Sequence, residues 1–322
     1  ATLSSMTPLS AAAPADLPAR GPASPPPAAA GPGFALRIAA LPAAALVGGA
    51  QLRATLTPVG LDAVALRVGE LAEQRGDGVF ESISVVDGHA QELRAHLERL
   101  AFSARRCELP APHLAQWEEA VAVALAHLPA QGEFGLRLVL ERDPGRPAWL
   151  VATRAADSSA VRARGVRAVT LDRGFDSAAA ARAPWLLIGA KTLSYAVNMA
   201  ALREARRRGA DEAIFVTSDG LVLEGATSSL IVRIGGEHVT PAPTAGVLQG
   251  TTQQSLFGHL ERTGRRTATR GIRVASLARA DAAWLVSSIR GVVPLTAIDG
   301  RELEIDVALT SELHAYLRSP RD

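Results

Sequence analysis

The sequence predicts an α+β protein built as two domains. Two observations carry that reading. Short β-rich runs end in tight-turn dipeptides, at 79–86 before Asp87-Gly88 and at 213–224 around Asp219-Gly220. Longer segments between them carry apolar side chains at helical spacing. A chain of 322 residues with 48% apolar content can build two such cores.

Residues 1–33 are rich in Ala, Pro, Ser and Gly and include Pro25-Pro26-Pro27. Such a tail cannot bury enough surface to offset its ordering entropy, and disorder is expected. It lacks the basic start and apolar centre of a secretory signal. The first domain is expected over 34–150. There Gly76-Asp77-Gly78 leads into a strand at 79–86, and Leu93, Leu97, Leu100 and Ala101 mark a helix over 92–105. A second helix fits 114–128, followed by a strand at 134–142 that breaks at Asp143-Pro144-Gly145. Residues 151–163, Ala/Ser/Arg-rich from 155, read as a connector to a larger second domain, 164–322.

In that domain the apolar run 185–190 reads as a buried strand ending at Lys191. A helix over 194–208 places Val197, Ala201, Leu202 and Ala205 on one face, with Gly209 just past its cap. Asp219-Gly220 is expected to join two strands through a two-residue turn, and Gly225-Ala226-Thr227-Ser228-Ser229 leads into another at 230–234. Gly250-Thr251-Thr252 opens a helix carrying Leu256, Phe257 and Leu260, ended by Gly264. The run 284–289 reads as a buried strand meeting a loop.

Composition narrows the function classes. A net charge of +2 with dispersed arginines gives no nucleic-acid footprint, and Arg206-Arg207-Arg208 sits where cations complement a helix dipole. The apolar stretch 39–47 is too short to span a bilayer, so no membrane partner is expected. Cys107 is the single cysteine, which fits a reducing cytoplasm. The seven histidines are scattered, and no metal site is expected.

Lys191 is the only lysine, although the chain carries 33 arginines. A guanidinium stays protonated and is a poor nucleophile, whereas a desolvated amine can attack a carbonyl and form a Schiff base. A lone exposed lysine is the ordinary alternative. Three further features fit an anionic, ring-bearing ligand. Glu224 is a carboxylate at the end of an apolar strand, able to pair with a pyridine nitrogen. Gly250-Thr251-Thr252 offers free N–H groups and hydroxyls at a helix start. Ser287-Ser288 places hydroxyls after a buried strand. Each has an ordinary structural reading alone. Together they describe a pyridoxal phosphate site.

Ala190-Lys191-Thr192-Leu193-Ser194-Tyr195, then Leu223-Glu224-Gly225-Ala226-Thr227-Ser228-Ser229, then Gly250-Thr251-Thr252, resemble the consecutive motifs of the class IV, or fold-type IV, aminotransferases. Gly76-Asp77-Gly78-Val79-Phe80-Glu81 and His96-Leu97-Glu98-Arg99-Leu100 resemble motifs of that family's first domain. The likeness spans about 74–300 and is greatest to actinobacterial members described as aminodeoxychorismate lyases. It implies a small N-terminal α/β domain, a larger domain with a pseudo-barrel sheet, and a homodimer. It implies Lys191 as Schiff base and general base, Glu224 at the pyridine nitrogen, and Tyr195 near the ring oxygen. Arg94, Thr251, Thr252 and Ser288 would hold the phosphate. Arg142 falls where relatives bind a substrate carboxylate, although Asp143 replaces their glycine; Arg137 and Arg290 are the alternatives. Ser82, Ser84 and Arg290 are expected in the pocket wall.

Three functions stay open. In a lyase, 4-amino-4-deoxychorismate yields 4-aminobenzoate and pyruvate. In a transaminase, a D-amino acid or a branched-chain amino acid gives up its amino group. A non-catalytic pyridoxal phosphate-binding protein is the third. The shared residues serve the same α-carbanion in the first two, so the motifs do not separate them.

Overall fold

A computed structural model of the chain describes residues 33–61, 71–142, 148–243 and 246–322. The expected tail and the Asp143-Pro144-Gly145 turn lie outside these residues, apart from Gly33. The first unit runs through β1 (Phe34–Ile38), α1 (Gly49–Ala54), β2 (Leu56–Val59), α2 (Leu71–Arg75), β3 (Gly78–Val86) and β4 (His89–Ala90). It continues with α3 (Leu93–Arg106), α4 (Leu114–His127), β5 (Glu133–Glu141) and β6 (Ala148–Arg154). Its strands form one antiparallel sheet in the order β2-β1-β6-β5-β3-β4. Asp87 and Gly88, both at positive φ, make the tight turn between β3 and β4 that the dipeptide predicts.

Alternation along β3 sets the two faces. Val79, Ile83 and Val85 pack beneath Leu97 and Leu100 of α3 and Trp117 and Val121 of α4. Phe80 and Ser82 turn to the other side, toward the second unit.

That unit contains α5 (Ser159–Arg164), β7 (Val166–Asp172), α6 (Ala179–Arg182), α7 (Ala196–Arg207), β8 (Glu212–Val216) and β9 (Val222–Gly225). Next come β10 (Ser229–Ile234), β11 (Glu237–Pro241), α8 (Thr251–Arg262) and β12 (Arg266–Arg270). The chain closes with β13 (Ala282–Ser287), β14 (Gly291–Ile298), β15 (Arg301–Glu302) and α9 (Val307–Arg318). The sheet order is β12-β11-β10-β13-β14-β7-β8-β9, with β15 on β14. Val222 of β9 and Val239 of β11 share a core with Ile214, Leu230 and Leu285, so the sheet curls around that core. On the outer side Ile231 and Trp284 pack against Leu256 and Leu260 of α8 and Leu309 and Leu313 of α9. Burial on both faces explains why 282–286 is a continuous apolar run. Trp284 is buried with its indole N–H donated to Thr310, and its removal would cost about 3–5 kcal/mol.

Several expectations need correction. Residues 185–190 are not a strand: Pro184 starts one tight 3-10 turn, Leu187 and Gly189 take positive φ, and Trp185 is 75% exposed. The Asp219-Gly220 hairpin has a three-residue loop, 218–220, closed by Thr217 and Leu221, with Gly220 at positive φ. β6 runs into the expected connector as far as Arg154, and α5 occupies its end. α7 begins at Ala196, two residues later than expected, with Val197 exposed and Leu202 half-buried.

Candidate active site

A cavity of about 760 Å³ lies between the two sheets, walled by β3 and β5 on one side and by β9, α7 and the start of α8 on the other. Lys191 enters it from a segment bound to the edge of β3. The Phe80 N–H donates to the Lys191 carbonyl at 3.0 Å, Leu193 N–H donates to Gly78 at 2.9 Å, and Thr192 bridges Val79. The lysine backbone is further held by Ser103 Oγ at 3.1 Å. Its Nζ stands 4.3 Å from the centre of the Phe80 ring and 6.0 Å from that of Tyr195. Burial first, then the charge of Arg99, lowers its pKa to about 8. The lysine is thus not at a strand end. A short bridge to the small domain's sheet fixes it instead.

Glu224 reaches the cavity through an irregularity in β8–β9 pairing. The register slips between Ile214↔Gly225 and Val216↔Val222, which sets Leu223 and Glu224 against the single residue Phe215. Glu224 Oε1 accepts the Leu248 N–H at 3.1 Å. Burial raises this carboxyl to about 7, against the pull of that N–H and the charges of Lys191, Arg99 and Arg173.

At the start of α8, Gly250 provides no side-chain cap, so the first N–H groups of the helix face the cavity without an intrahelical partner. A Cβ at Gly250 would lie 2.1 Å from Ser229 Oγ, which is why glycine stands there. Thr252 Oγ1 is 3.2 Å from Ser288 Oγ, and His96 Nε2 is 3.3 Å from both Ser288 Oγ and Thr251 Oγ1. The His96 Nδ1–H donates to Glu81 at 2.7 Å, and burial lowers the imidazole pKa, which leaves Nε2 to accept from the hydroxyls. Arg99 grips the same Glu81 through two hydrogen bonds and donates to the Gln249 carbonyl at 2.8 Å. Burial pushes Glu81 up, but the Arg99 charge and these hydrogen bonds prevail and hold it at about 2.

The cavity therefore brings together Lys191, Tyr195, Glu224, Thr251, Thr252, Ser288, Ser82 and Arg290. Three expected residues lie elsewhere. Arg94 is on the outer face of α3, its side chain 87% exposed and paired with Glu98 at 2.9 Å. The 93, 97, 100 stripe turns 96 and 99 inward and 94 and 98 outward, so Arg99 is the α3 arginine that reaches the start of α8. Arg142 is bound to Asp77 at 2.6 and 3.0 Å and to the carbonyls of Cys107 and Glu108. It ties loops together outside the cavity walls. Ser84 lies beyond the cavity, further along β3.

Arg290 does line the cavity, but its guanidinium pairs with the buried Glu212. Arg137, opposite Ser82 across β3–β5, places its guanidinium 3.9 Å above the Phe80 ring. Among the described residues it has no carboxylate partner. The motifs contain His96 and Glu81 without indicating what they touch, and Arg173 lies in none of them. A histidine and a glutamate on apolar faces were the available signals.

The residues fit pyridoxal phosphate. The cradle of N–H groups, hydroxyls and Arg99 suits a phosphate, Glu224 suits a ring nitrogen, and the Lys191 amine, its pKa lowered to about 8, suits an aldehyde. The sequence pattern of amino-transferase class IV proteins matches residues 78–298. A bifunctional aminodeoxychorismate lyase / D-amino acid transaminase of Mycobacterium tuberculosis is 43% identical over 254 residues, 74% of this chain and 87% of the relative. A fold IV transaminase from Curtobacterium pusillum superposes with a TM-score of 0.82 at 42% identity, over 89% of this chain and 99% of that one. A hypothetical aminotransferase from Mycobacterium tuberculosis in its pyridoxal phosphate-bound form gives 0.76 at 40% identity, over 81% and 95%. Motifs, cavity and likeness converge, and the chain belongs to the class IV aminotransferases, fold-type IV enzymes that work through pyridoxal phosphate.

Proposed function

We propose that this enzyme converts 4-amino-4-deoxychorismate to 4-aminobenzoate and pyruvate, and that it also transaminates D-amino acids. One observation supports the shared chemistry best. Lys191 Nζ and the Arg137 guanidinium both lie against the Phe80 ring, at 4.3 and 3.9 Å from its centre. A base and an arginine with no carboxylate partner among the described residues thus both lie against one ring. The arginine suits a substrate carboxylate, and the amine is within reach of the adjoining α-carbon. The choice of the two reactions follows the relative that carries both names.

Pyridoxal phosphate, when bound, supplies the sink for the electron pair left at the α-carbon. Arg99, Thr251, Thr252, Ser288 and the α8 N–H groups would hold its phosphate. Glu224 would accept a hydrogen bond from its ring nitrogen and keep that nitrogen protonated, and Tyr195 would lie near the ring. The Lys191 amine takes the α-proton at Nζ. In the lyase reaction it then returns a proton to the departing enolpyruvyl group, which leaves as pyruvate. In transamination the same Nζ delivers the proton to a different carbon. Phe80 and the apolar residues Leu187 and Ile188 keep water from the amine.

Parallel assays test this reading. With 4-amino-4-deoxychorismate, pyruvate and 4-aminobenzoate should appear together; with D-alanine and 2-oxoglutarate, glutamate should form. Arg137→Lys keeps the charge but not the fork, so the Michaelis constant should rise for both substrates while cofactor affinity holds. Turnover of branched-chain L-amino acids with neither activity present would contradict it.

A further inference from the structure

The two halves of the phosphate cradle come from different domains. α8 supplies Thr251 and Thr252, whereas α3 supplies His96 and Arg99. Residues 316–321 touch both helices from behind. The Tyr316 hydroxyl lies 3.1 Å from Ser255 Oγ and accepts from Arg262 at 3.0 Å, and its ring stacks on His259 at 4.2 Å. Ser255 is one turn along α8 from Thr251.

On the other side, Glu92 caps α3 at φ 54°, a left-handed conformation that a glutamate keeps only when its surroundings fix it. Arg321 fixes it. The Glu92 N–H donates to the Arg321 carbonyl at 2.8 Å, and Arg321 Nε donates to Glu92 Oε1 at 3.2 Å. These side chains are only 10% and 8% exposed. His89 Nε2 is 3.0 Å from the same Arg321 carbonyl. The rest of the guanidinium donates to the Tyr316 carbonyl at 2.7 Å and lies 5.0 Å above the Tyr316 ring. The Glu92 carbonyl accepts the His96 N–H at 3.1 Å, so the clasp grips α3 one turn from the cradle as well. Arg318 pairs with Glu133 of β5 and adds a second tie to the small domain.

We propose that residues 316–321 set the spacing between the two cradle helices, and that Arg321 is a positioning residue for phosphate binding. The inference rests on the reading that the cradle takes the phosphate of pyridoxal phosphate. Removing one partner of a nearly buried ion pair leaves the other without compensation. Glu92 would then leave its left-handed cap, and the first turn of α3, which carries His96, would lose its fixed position.

The test measures dissociation constants of pyridoxal phosphate and of phosphate-free pyridoxal for the full chain, alongside melting temperatures. Arg321→Ala should weaken pyridoxal phosphate by about tenfold, within the range usual for coupling between separate sites, and change pyridoxal by less than about twofold. Arg321→Lys should fall between wild type and Arg321→Ala. Tyr316→Phe removes only the hydroxyl held by α8 and carries the same expectation should Arg321→Ala not fold. Equal weakening of both ligands, or a lowered melting temperature with unchanged affinities, would overturn the positioning role. No pyridoxal phosphate binding by the wild type would instead overturn the cofactor reading, and this inference with it.

Discussion

Two arginines five residues apart on α3 show how much depends on which way a helix side chain points. Arg94 is paired with Glu98 in solvent, while Arg99 is bound to Glu81 at the cradle. Arg94→Ala should leave stability within about 0.5 kcal/mol and cofactor affinity unchanged. Arg99→Ala should weaken pyridoxal phosphate by one to two orders of magnitude, the equivalent of about 1.5–3 kcal/mol for a hydrogen bond to a charged group. It should also lower the melting temperature, because Glu81 stays buried with only His96 and without its charged partner. Equal effects of the two variants, by calorimetry and cofactor titration, would return the phosphate role to the helix surface. Glu224 gives a second prediction. Its folded pKa of about 7 lies above the ordinary 4.5, so the folded cofactor-free protein holds this proton more tightly than the unfolded chain. The associated stability is complete below about 4.5 and is lost as pH rises through 7. Glu224→Gln should therefore melt higher than wild type at pH 8 and no higher at pH 4.5, while losing most turnover. That Lys191 and Glu224 share one cavity was legible in the sequence, because few other residue types could serve the chemistry expected there. Arg99 was legible only as part of a motif and Arg137 only as an alternative to Arg142, since their placement depends on helix phase and on cross-strand neighbours.

At the scale of elements, strongly periodic segments were readable and exposed or edge segments were not. β3, α3, α4 and α8 lie where alternation, helical spacing and end signals put them. Residues 185–190 misled because an apolar run suggests burial, yet Pro184 and the positive φ of Gly189 make it a turned wall of the cavity. β12, Arg-Thr-Ala-Thr-Arg, is an edge strand whose pattern carries no core signal. The bulge that aims Glu224 also left no mark in composition. The start of α8 offers a direct test. Gly250→Ala forces the new Cβ against Ser229 Oγ at 2.1 Å and Ser229 Cβ at 3.2 Å, so the first turn must shift. Pyridoxal phosphate affinity should fall by roughly the cost of one charge-assisted hydrogen bond. The double variant with Ser229→Ala, which removes the nearer contact, should recover part of it. Unchanged affinity in Gly250→Ala would mean that the helix start does not hold the phosphate.

At the scale of the whole molecule, the site exists because two domains meet. The Lys191 segment is stitched to β3, and Glu224 and the α8 start face it from the curled sheet. Trp185, Leu186 and Val197 at the cavity wall remain 75, 48 and 55% exposed in a single chain. A homodimer, which the family resemblance implies, would cover that apolar rim, and light scattering should then give twice the chain mass, reduced towards one chain by Trp185→Asp. On the proposed reading, this chain works through a pyridoxal phosphate bound covalently at Lys191, its one lysine. Incubation with the cofactor, borohydride reduction and peptide mapping test it most directly. The adduct should lie on Lys191 alone, and its rate of formation should rise with pH through about 8 rather than the ordinary 10.5, because the neutral amine is the attacking form. No adduct at saturating cofactor, or an adduct that survives in Lys191→Ala, would show that Lys191 does not hold the cofactor.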